Sequence, residues 1–339
     1  MVKKILIVVF LILLGFCLWN WNWIKYGFQQ AKGQLEIIIN AKPIAEFLSD
    51  PNYPDSLKNK LQLTQIVRQF AIDSLGLHNS DNYTKMYDQK GEVLLWNLSA
   101  AYPYELKPYY WTYPFLGKMP YKGFFEIEKA KEEAETLKED GLDVRIRAVG
   151  GWSTLGILED PILSEMLNRS DGALAELIIH ELTHATIFIK NEIEFNENLA
   201  SFIGERGAEQ FLISHFGDSS VKHLEYIRSL SDSKKFNKVI LSGTQSLDSL
   251  YHTFNDSMSI QEKDTLKWRQ IRSIRDNLEL TPFYNSRYNR VFSKTLPNNA
   301  YFMALKRYHS QEDSISDLYS QSKNDLLLFL TDLKKQHGK

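Results

Sequence analysis

Hydrophobic and polar positions recur along this chain at two periods, and each predicts a different element. From Gln29 to Ala41 the residues Leu35, Ile38 and Ile39 keep helical spacing until Pro43. Leu57 to Leu75 repeats it through Leu61, Leu63, Ile66, Val67 and Phe70, with Gly76 placed to end the helix. Glu92 to Leu98 is a short apolar run that reads as a buried strand. Residues 101–123 are rich in Tyr, Trp and Pro, and their prolines exclude a long helix. They predict a packed loop, with a pocket lining as the functional alternative. Phe124 to Asp140 is a charged amphipathic helix that Gly141 would end. Leu142 to Val149 alternates Val144, Ile146 and Ala148 inward with Arg145 and Arg147 outward, the period of a half-exposed strand. An edge strand here would pair with an extended peptide, with Gly151, Trp152 and Ser153 just beyond it as candidate substrate-binding residues. The plainer reading is an ordinary surface strand.

The most informative stretch is Ala175 to Phe188, AELIIHELTHATIF, preceded by Pro161 to Leu167 as a short helix or turn. Ser170 or Asp171 stands where a helix cap is wanted. Asn196-Glu197 then opens a second helical period through Leu199, Phe202, Ile203, Phe211 and Leu212. Gly204 and Gly207 on it would allow close approach to a neighbour. Beyond residue 218 the chain shows helical periods and polar linkers, with no motif that points to chemistry.

At the N-terminus Lys3 and Lys4 precede an apolar run from Ile5 to Leu18, followed by Trp19, Trp21 and Trp23. The run predicts a retained single-pass inner-membrane anchor with the bulk of the chain facing the periplasm. A cleaved signal peptide giving a secreted form, or a lipoprotein lipidated on Cys17, are the alternatives. Forty Lys and Arg against 42 Asp and Glu give a net charge of −2, which offers no electrostatic case for a nucleic-acid partner. The single cysteine excludes an intramolecular disulfide and any cysteine-rich metal site.

The chemistry lies in His180-Glu181-Leu182-Thr183-His184. Residues four apart share a helix face, so His180 and His184 can direct two imidazole nitrogens at one zinc ion, while Glu181 stands beside the open position as a general base. A catalytic zinc wants a third protein ligand. A metzincin would carry Gly and His where this chain has Ile187 and Lys190, which removes that arrangement. A gluzincin takes a Glu from a following helix, and Glu197 fits that place better than Glu192 or Glu194 in the intervening turn. Glu176, one turn before His180, could support that histidine. A donor for a transition-state oxyanion could come from Tyr251, His252, Tyr284, Tyr288 or Tyr301, of which Tyr288 and Tyr301 are the candidates carried forward. Asn298-Asn299-Ala300 reads more simply as a helix cap.

The chain resembles a bacterial family of zinc aminopeptidases related to the gluzincins. The resemblance runs through Gln30-Ala31-Lys32-Gly33-Gln34-Leu35, Trp96-Asn97, Tyr121-Lys122-Gly123-Phe124-Phe125, Ser153-Thr154-Leu155-Gly156, Asp160-Pro161-Ile162-Leu163-Ser164, His180 to His184 and Phe195-Asn196-Glu197. It implies a zinc peptidase with one zinc ion, a peptide substrate and Glu197 as third ligand. Two departures stand out: the connection from His184 to Glu197 is short, and the Gly-x-Met-Glu-Asn segment that reads a free amino terminus in zinc aminopeptidases is absent. The expected architecture is α+β, mainly α: a gluzincin-like antiparallel helix pair bearing zinc, beside a small sheet. An anchor or signal segment is expected over 1–24, a catalytic region over 25–217 and a helical C-terminal subdomain over 218–339. A zinc endopeptidase, or a non-catalytic zinc-containing protein that binds peptides, are the competing expectations.

Overall fold

The structure, a computed structural model, describes residues 2–113, 117–150, 159–190, 192–309 and 312–337. The helical periods fold as helices. In chain order the elements are α1 (Val2–Trp19), α2 (Trp21–Asn40), β1 (Lys42–Pro43), α3 (Ile44–Ser49), α4 (Asp55–Asp73), β2 (Lys85–Tyr87), β3 (Trp96–Ala101), β4 (Trp111–Tyr113), β5 (Gly117–Met119) and β6 (Lys122–Phe124). They continue with α5 (Ile127–Glu139), β7 (Asp143–Ala148), β8 (Ile162–Leu163), α6 (Asp171–Thr186), α7 (Ile193–Phe216), α8 (Val221–Tyr251), α9 (Ile260–Leu280), α10 (Asn299–His309), α11 (Glu312–Gln321) and α12 (Leu326–His337). The fold is thus mainly helical with small sheets.

The largest core forms where α4, α6 and α7 bury their apolar faces together. Ile178, Ile179 and Leu182 of α6 are fully buried against Val67 and Ala71 of α4 and Leu199, Ile203 and Phe211 of α7. Each buried Ile, Leu, Val or Phe among them stabilises the fold by about 1.5–3 kcal/mol. The chain returns to this core at its end, through Ile315 and Tyr319 of α11 and Phe329 and Leu330 of α12. A second core joins α8, α9 and α10. A third lies between α5 and the antiparallel sheet β6-β3-β7.

That sheet differs in detail from the sequence pattern. The strand expected over Glu92 to Leu98 starts at Trp96 and runs on to Ala101, because pairing rather than hydrophobicity sets its bounds. β6 pairs with β3 from Trp96 to Leu98, and β7 with all of it. The aromatic segment folds as the β4–β5 hairpin and β6. Its Trp111 is buried and donates to Glu133 Oε1 at 2.6 Å.

The membrane anchor is not borne out. Among the described residues no helix is long and apolar enough to cross a membrane. α1 spans 18 residues, about 27 Å as an α-helix, and the chain turns at Asn20. The following helix α2 carries Lys25, Gln29, Gln30, Lys32, Gln34 and Glu36. It also docks on the third core: Trp23 lies 5.0 Å from the Tyr113 ring, and Tyr26 Oη donates to the Gly123 carbonyl at 2.9 Å. Trp23 therefore serves packing rather than a membrane interface. A Cβ on Gly33 would lie 2.4 Å from the Phe125 ring, so α2 needs a glycine where it meets the residues after β6.

The helix pair α6–α7 is fixed at both ends. Ser170 Oγ accepts from Ala173 N and caps α6. Next to it Asp171 bonds Lys60 of α4 and Lys222 of α8, the latter at 2.6 Å. Burial pushes the Asp171 carboxyl up, but those two ammonium groups override it and hold it below its usual range. At the other end Asn196 brackets Ile189: its Oδ1 accepts from Ile189 N at 2.9 Å and its Nδ2 donates to Ile189 O at 2.7 Å. This closes the tight connection that the short spacing requires.

A carboxyl held low stabilises the fold above its unfolded pKa of about 3.9 and loses that contribution as pH falls through the folded value. Asp171→Asn should therefore lower stability by about 1 kcal/mol near neutral pH, after allowing for solvent screening. Denaturant unfolding should show the gap to wild type closing below about pH 4. Asn196→Ala should cost about 1–3 kcal/mol by leaving the Ile189 N–H without its acceptor, while the Ile189 carbonyl keeps the Glu192 N–H. Amide exchange at Ile189 should accelerate; an unchanged rate would mean the bracket does not hold the turn.

Candidate active site

Helical spacing alone puts His180 and His184 on one face of α6, and the structure directs both rings to one point. Their Nε2 atoms are 3.1 Å apart, with the rings nearly perpendicular at 84°. Glu197, in the first turns of α7, brings Oε2 to 3.7 Å from His180 Nε2 and 3.8 Å from His184 Nε2. His184 is buried, while His180 and Glu197 are partly exposed.

Two glycines set that distance between helices. At Gly204 a Cβ would stand 3.0 Å from the Glu176 carbonyl and 3.3 Å from His180 Cβ. At Gly207 it would meet Leu75 at 2.8 Å and Ile179 at 3.0 Å. Glu197 sits about two turns before Gly204, and both its neighbours are tied down. Asn196 brackets Ile189, and Asn198 Nδ2 donates to the Arg307 carbonyl at 2.6 Å.

The charges of the three groups are coupled. Burial pushes the Glu197 carboxyl up, but the close imidazoles of His180 and His184 outweigh this and hold it far below the ordinary carboxylate range. Burial lowers His180, yet the close Glu197 carboxylate and the charges of Glu181 and Glu176 leave it raised. Two imidazoles and one carboxylate whose donor atoms lie within 4.8 Å of one another could hold a metal ion. Donors around a tetrahedral zinc stand about 3.3 Å apart for bonds of about 2.0–2.1 Å. The observed 3.1, 3.7 and 3.8 Å bracket that spacing. The set also matches zinc's preference for nitrogen and carboxylate ligands. His184 Nδ1 is buried without a hydrogen-bond partner among the described residues, so packing orients this ring.

Glu181 follows His180 on α6 and is half-buried. Its charge is felt by His180 and also by the phenol of Tyr83, which burial and then Glu181 push well above the ordinary tyrosine range. Glu176 accepts from Tyr226 Oη at 3.0 Å. Tyr226 comes from α8, and nothing in its sequence surroundings marked it.

The other candidates fall elsewhere. Gly151, Trp152 and Ser153 lie outside the described residues. Tyr288 packs on Phe236 and Phe283 in the second core. Tyr301 packs on Phe292, and the Arg145 guanidinium stands 4.6 Å from its ring centre. Asn298 caps α10 by accepting from Tyr301 N.

β7 is an edge strand among the described residues, in the order β6-β3-β7. Val149 N donates to Leu95 O, so alternation along the ladder turns the main-chain groups of Val144, Ile146 and Ala148 away from β3. Asn298 Nδ2 takes up the Val144 carbonyl at 2.9 Å.

No curated protein and no solved structure matches this chain. The profile of one family, described as "Putative aminopeptidase", matches residues 25–338. The match takes in nearly every element described above, the His180–His184–Glu197 cluster included, and the chain belongs to that family.

Proposed function

We propose that this protein is a zinc-dependent peptidase of gluzincin type that removes N-terminal residues from peptides. His180, His184 and Glu197 hold the metal, and Glu181 is the general base. The single observation that carries the reading is the convergence of two imidazole nitrogens and one carboxylate oxygen on one point, with separations of 3.1, 3.7 and 3.8 Å, beside a further half-buried carboxylate. Membership of the family supports hydrolysis of peptides as the chemistry.

Zinc bound there would supply Lewis acidity, polarising the scissile carbonyl and bringing the pKa of water to about 7. The residues of the chain do the rest. Glu181 takes the proton of the water that adds to the carbonyl carbon, then delivers it to the nitrogen as the C–N bond breaks. A substrate residue in extended conformation can pair with the outward main-chain groups of Ile146 and Ala148 on β7, since an edge strand offers those donors and acceptors at the spacing a peptide needs. Glu176, held by Tyr226, lies one turn from His180 and adds negative charge that favours a cation at this end of the cluster.

The tests are direct. The full chain, refolded with excess zinc and dialysed, should retain one zinc ion per chain, and His184→Ala should retain far less; a folded wild type that retains none overturns the reading. Glu181→Gln should keep the metal and lose turnover by a factor of about 10²–10⁴, as when a general base is removed. A peptide-library digest read by mass spectrometry, with and without chelator, distinguishes the cleavage mode. Stepwise trimming from the amino terminus is expected. Internal cuts would make the enzyme an endopeptidase, and binding without cleavage would make it a peptide-binding protein.

A further inference from the structure

The connection from α6 to α7 forms one wall of a pocket in which none of the three candidate metal ligands takes part. Ile189, Glu192 and Phe195 line it together with residues of α11 and α12. Its volume is about 670 Å³, within the range of small-molecule sites. Leu318 of α11 and Phe329 and Leu333 of α12 complete the apolar walls. Leu318 is left 40% exposed, an aliphatic side chain that the fold does not cover.

One polar group of this wall is unmet. Ser322 is 6% exposed, and its hydroxyl makes no hydrogen bond among the described residues. Its main chain, in contrast, is bonded on both sides: Ser322 N donates to Tyr319 O, and Asp325 N donates to Ser322 O. Lys323 and Asn324 follow with φ of +56° and +57°, a left-handed pair that side chains seldom adopt. Tyr319 Oη donates to the Asn324 carbonyl and holds the pair in place. Strain of this kind persists only where the surroundings impose it, and here it fixes Ser322 at the pocket wall. A hydroxyl buried so deeply is costly to leave unmet, so Ser322 marks a place for a polar group of a ligand.

The rim sets the sign of charge that the ligand carries. Glu192 and Asp332 bring carboxylates, and no lysine or arginine lines the pocket among the described residues. Asp332 already lies 3.5 Å from Lys335 Nζ. Glu192 is exposed and forms no ion pair among the described residues. Gln321 and Gln336 add amides that can both donate and accept. A hydrocarbon would leave Ser322 unmet, and an anion would be repelled by Glu192. A short peptide with a free amino terminus answers every feature. Its ammonium pairs with Glu192, its main chain with Ser322 and the amides, and its apolar side chains with Phe195, Leu318 and Leu333.

We infer that this pocket binds a short apolar peptide by its free amino terminus, at a site separate from the zinc centre. Neither zinc nor cleavage is required, so the site stands or falls independently of the peptidase reading. Occupancy also bears on the frame of the metal site. Ile189 is bracketed by Asn196, and Phe195 comes two residues before Glu197. A ligand packed between these residues and α12 ties down the connection that runs from His184 to Glu197.

The test is a calorimetric titration of the full chain with the dipeptide Leu-Leu, in chelator so that no metal competes for the peptide. One saturable site per chain is expected. N-acetyl-Leu-Leu should bind about tenfold more weakly or worse, because it lacks the ammonium. Glu192→Gln should weaken Leu-Leu by about two- to fivefold, as for a solvated ion pair. Leu318→Lys, which sets a like charge beside the ammonium, should abolish binding. Both positions are exposed, so the thermal midpoints of these variants should match wild type. Bound Leu-Leu should slow amide exchange at Ile189 in wild type and leave it unchanged in Leu318→Lys. Equal binding of N-acetyl-Leu-Leu, or undiminished binding of Leu-Leu by Leu318→Lys, overturns the inference. A chain that binds no Leu-Leu overturns it too. So does a dimer in light scattering that Leu318→Lys dissolves, since a second copy would then fill the pocket. Each of these failures leaves the peptidase reading standing.

Discussion

Everything around the candidate site depends on how closely two helices can approach. α6 carries His180 and His184, α7 carries Glu197, and only a short axis-to-axis distance brings their ends within metal-binding reach. Gly204 makes that distance possible, since a Cβ there would press on the Glu176 carbonyl at 3.0 Å and on His180 Cβ at 3.3 Å. Gly207 repeats the arrangement one turn further on, where Leu75 and Ile179 fill the space a side chain would need. Glycines inside a helix cost about 1 kcal/mol each relative to alanine. The offset comes from the apolar side chains that the close approach lets α6 and α7 share with α4.

Close packing fixes a distance but not a register, and polar contacts supply the register. Asn196 pairs with both main-chain groups of Ile189, which sets where α7 begins. Asn198 bonds the Arg307 carbonyl of α10, so the residues on either side of Glu197 are held to different parts of the fold. Asp171 ties the start of α6 to α4 and α8 through Lys60 and Lys222. Tyr226 reaches from α8 to Glu176, and adds a lateral restraint one turn before His180. A carboxylate placed this way can stay ionised beside two imidazoles although it is largely buried, which is the state a metal ligand requires.

The edge strand is anchored by a second polar assembly. Lys267 of α9 is only 2% exposed and pairs with Asp143 at the start of β7 at 2.7 Å. A charge buried to that degree is stable only with its partners in place. Asp143 also accepts from Asn299 N. Asn299 in turn donates to the Tyr102 and Pro103 carbonyls and accepts from Tyr251 Oη. This network joins β7, α8, α9 and α10 and connects the second core to the sheet. It gives the Asn298-Asn299 run a larger task than capping, though Asn298 does cap α10.

The sequence by itself determined the helices, the pairing of His180 with His184, and the nomination of Glu197. Those follow from local rules: the helical period, the four-residue spacing and the need for a third ligand. It also placed Gly204 and Gly207 as contact points, because a glycine in a helix interior needs a reason of that kind. It erred over the N-terminus, where the apolar run from Ile5 to Leu18 and the tryptophans after it read as one membrane anchor. The chain in fact turns at Asn20, and Trp23 and Tyr26 are used to pack against Tyr113 and Phe124. Only the tertiary structure decided which distant residues hold the helix pair and the sheet: Tyr226 from α8, bonded to Glu176, and Lys267 from α9, paired with Asp143. No local pattern marks them, because their roles come from contacts between segments far apart in sequence. The physical reason is that periodicity encodes which face a residue occupies, whereas the partner on that face is chosen by packing of the whole chain.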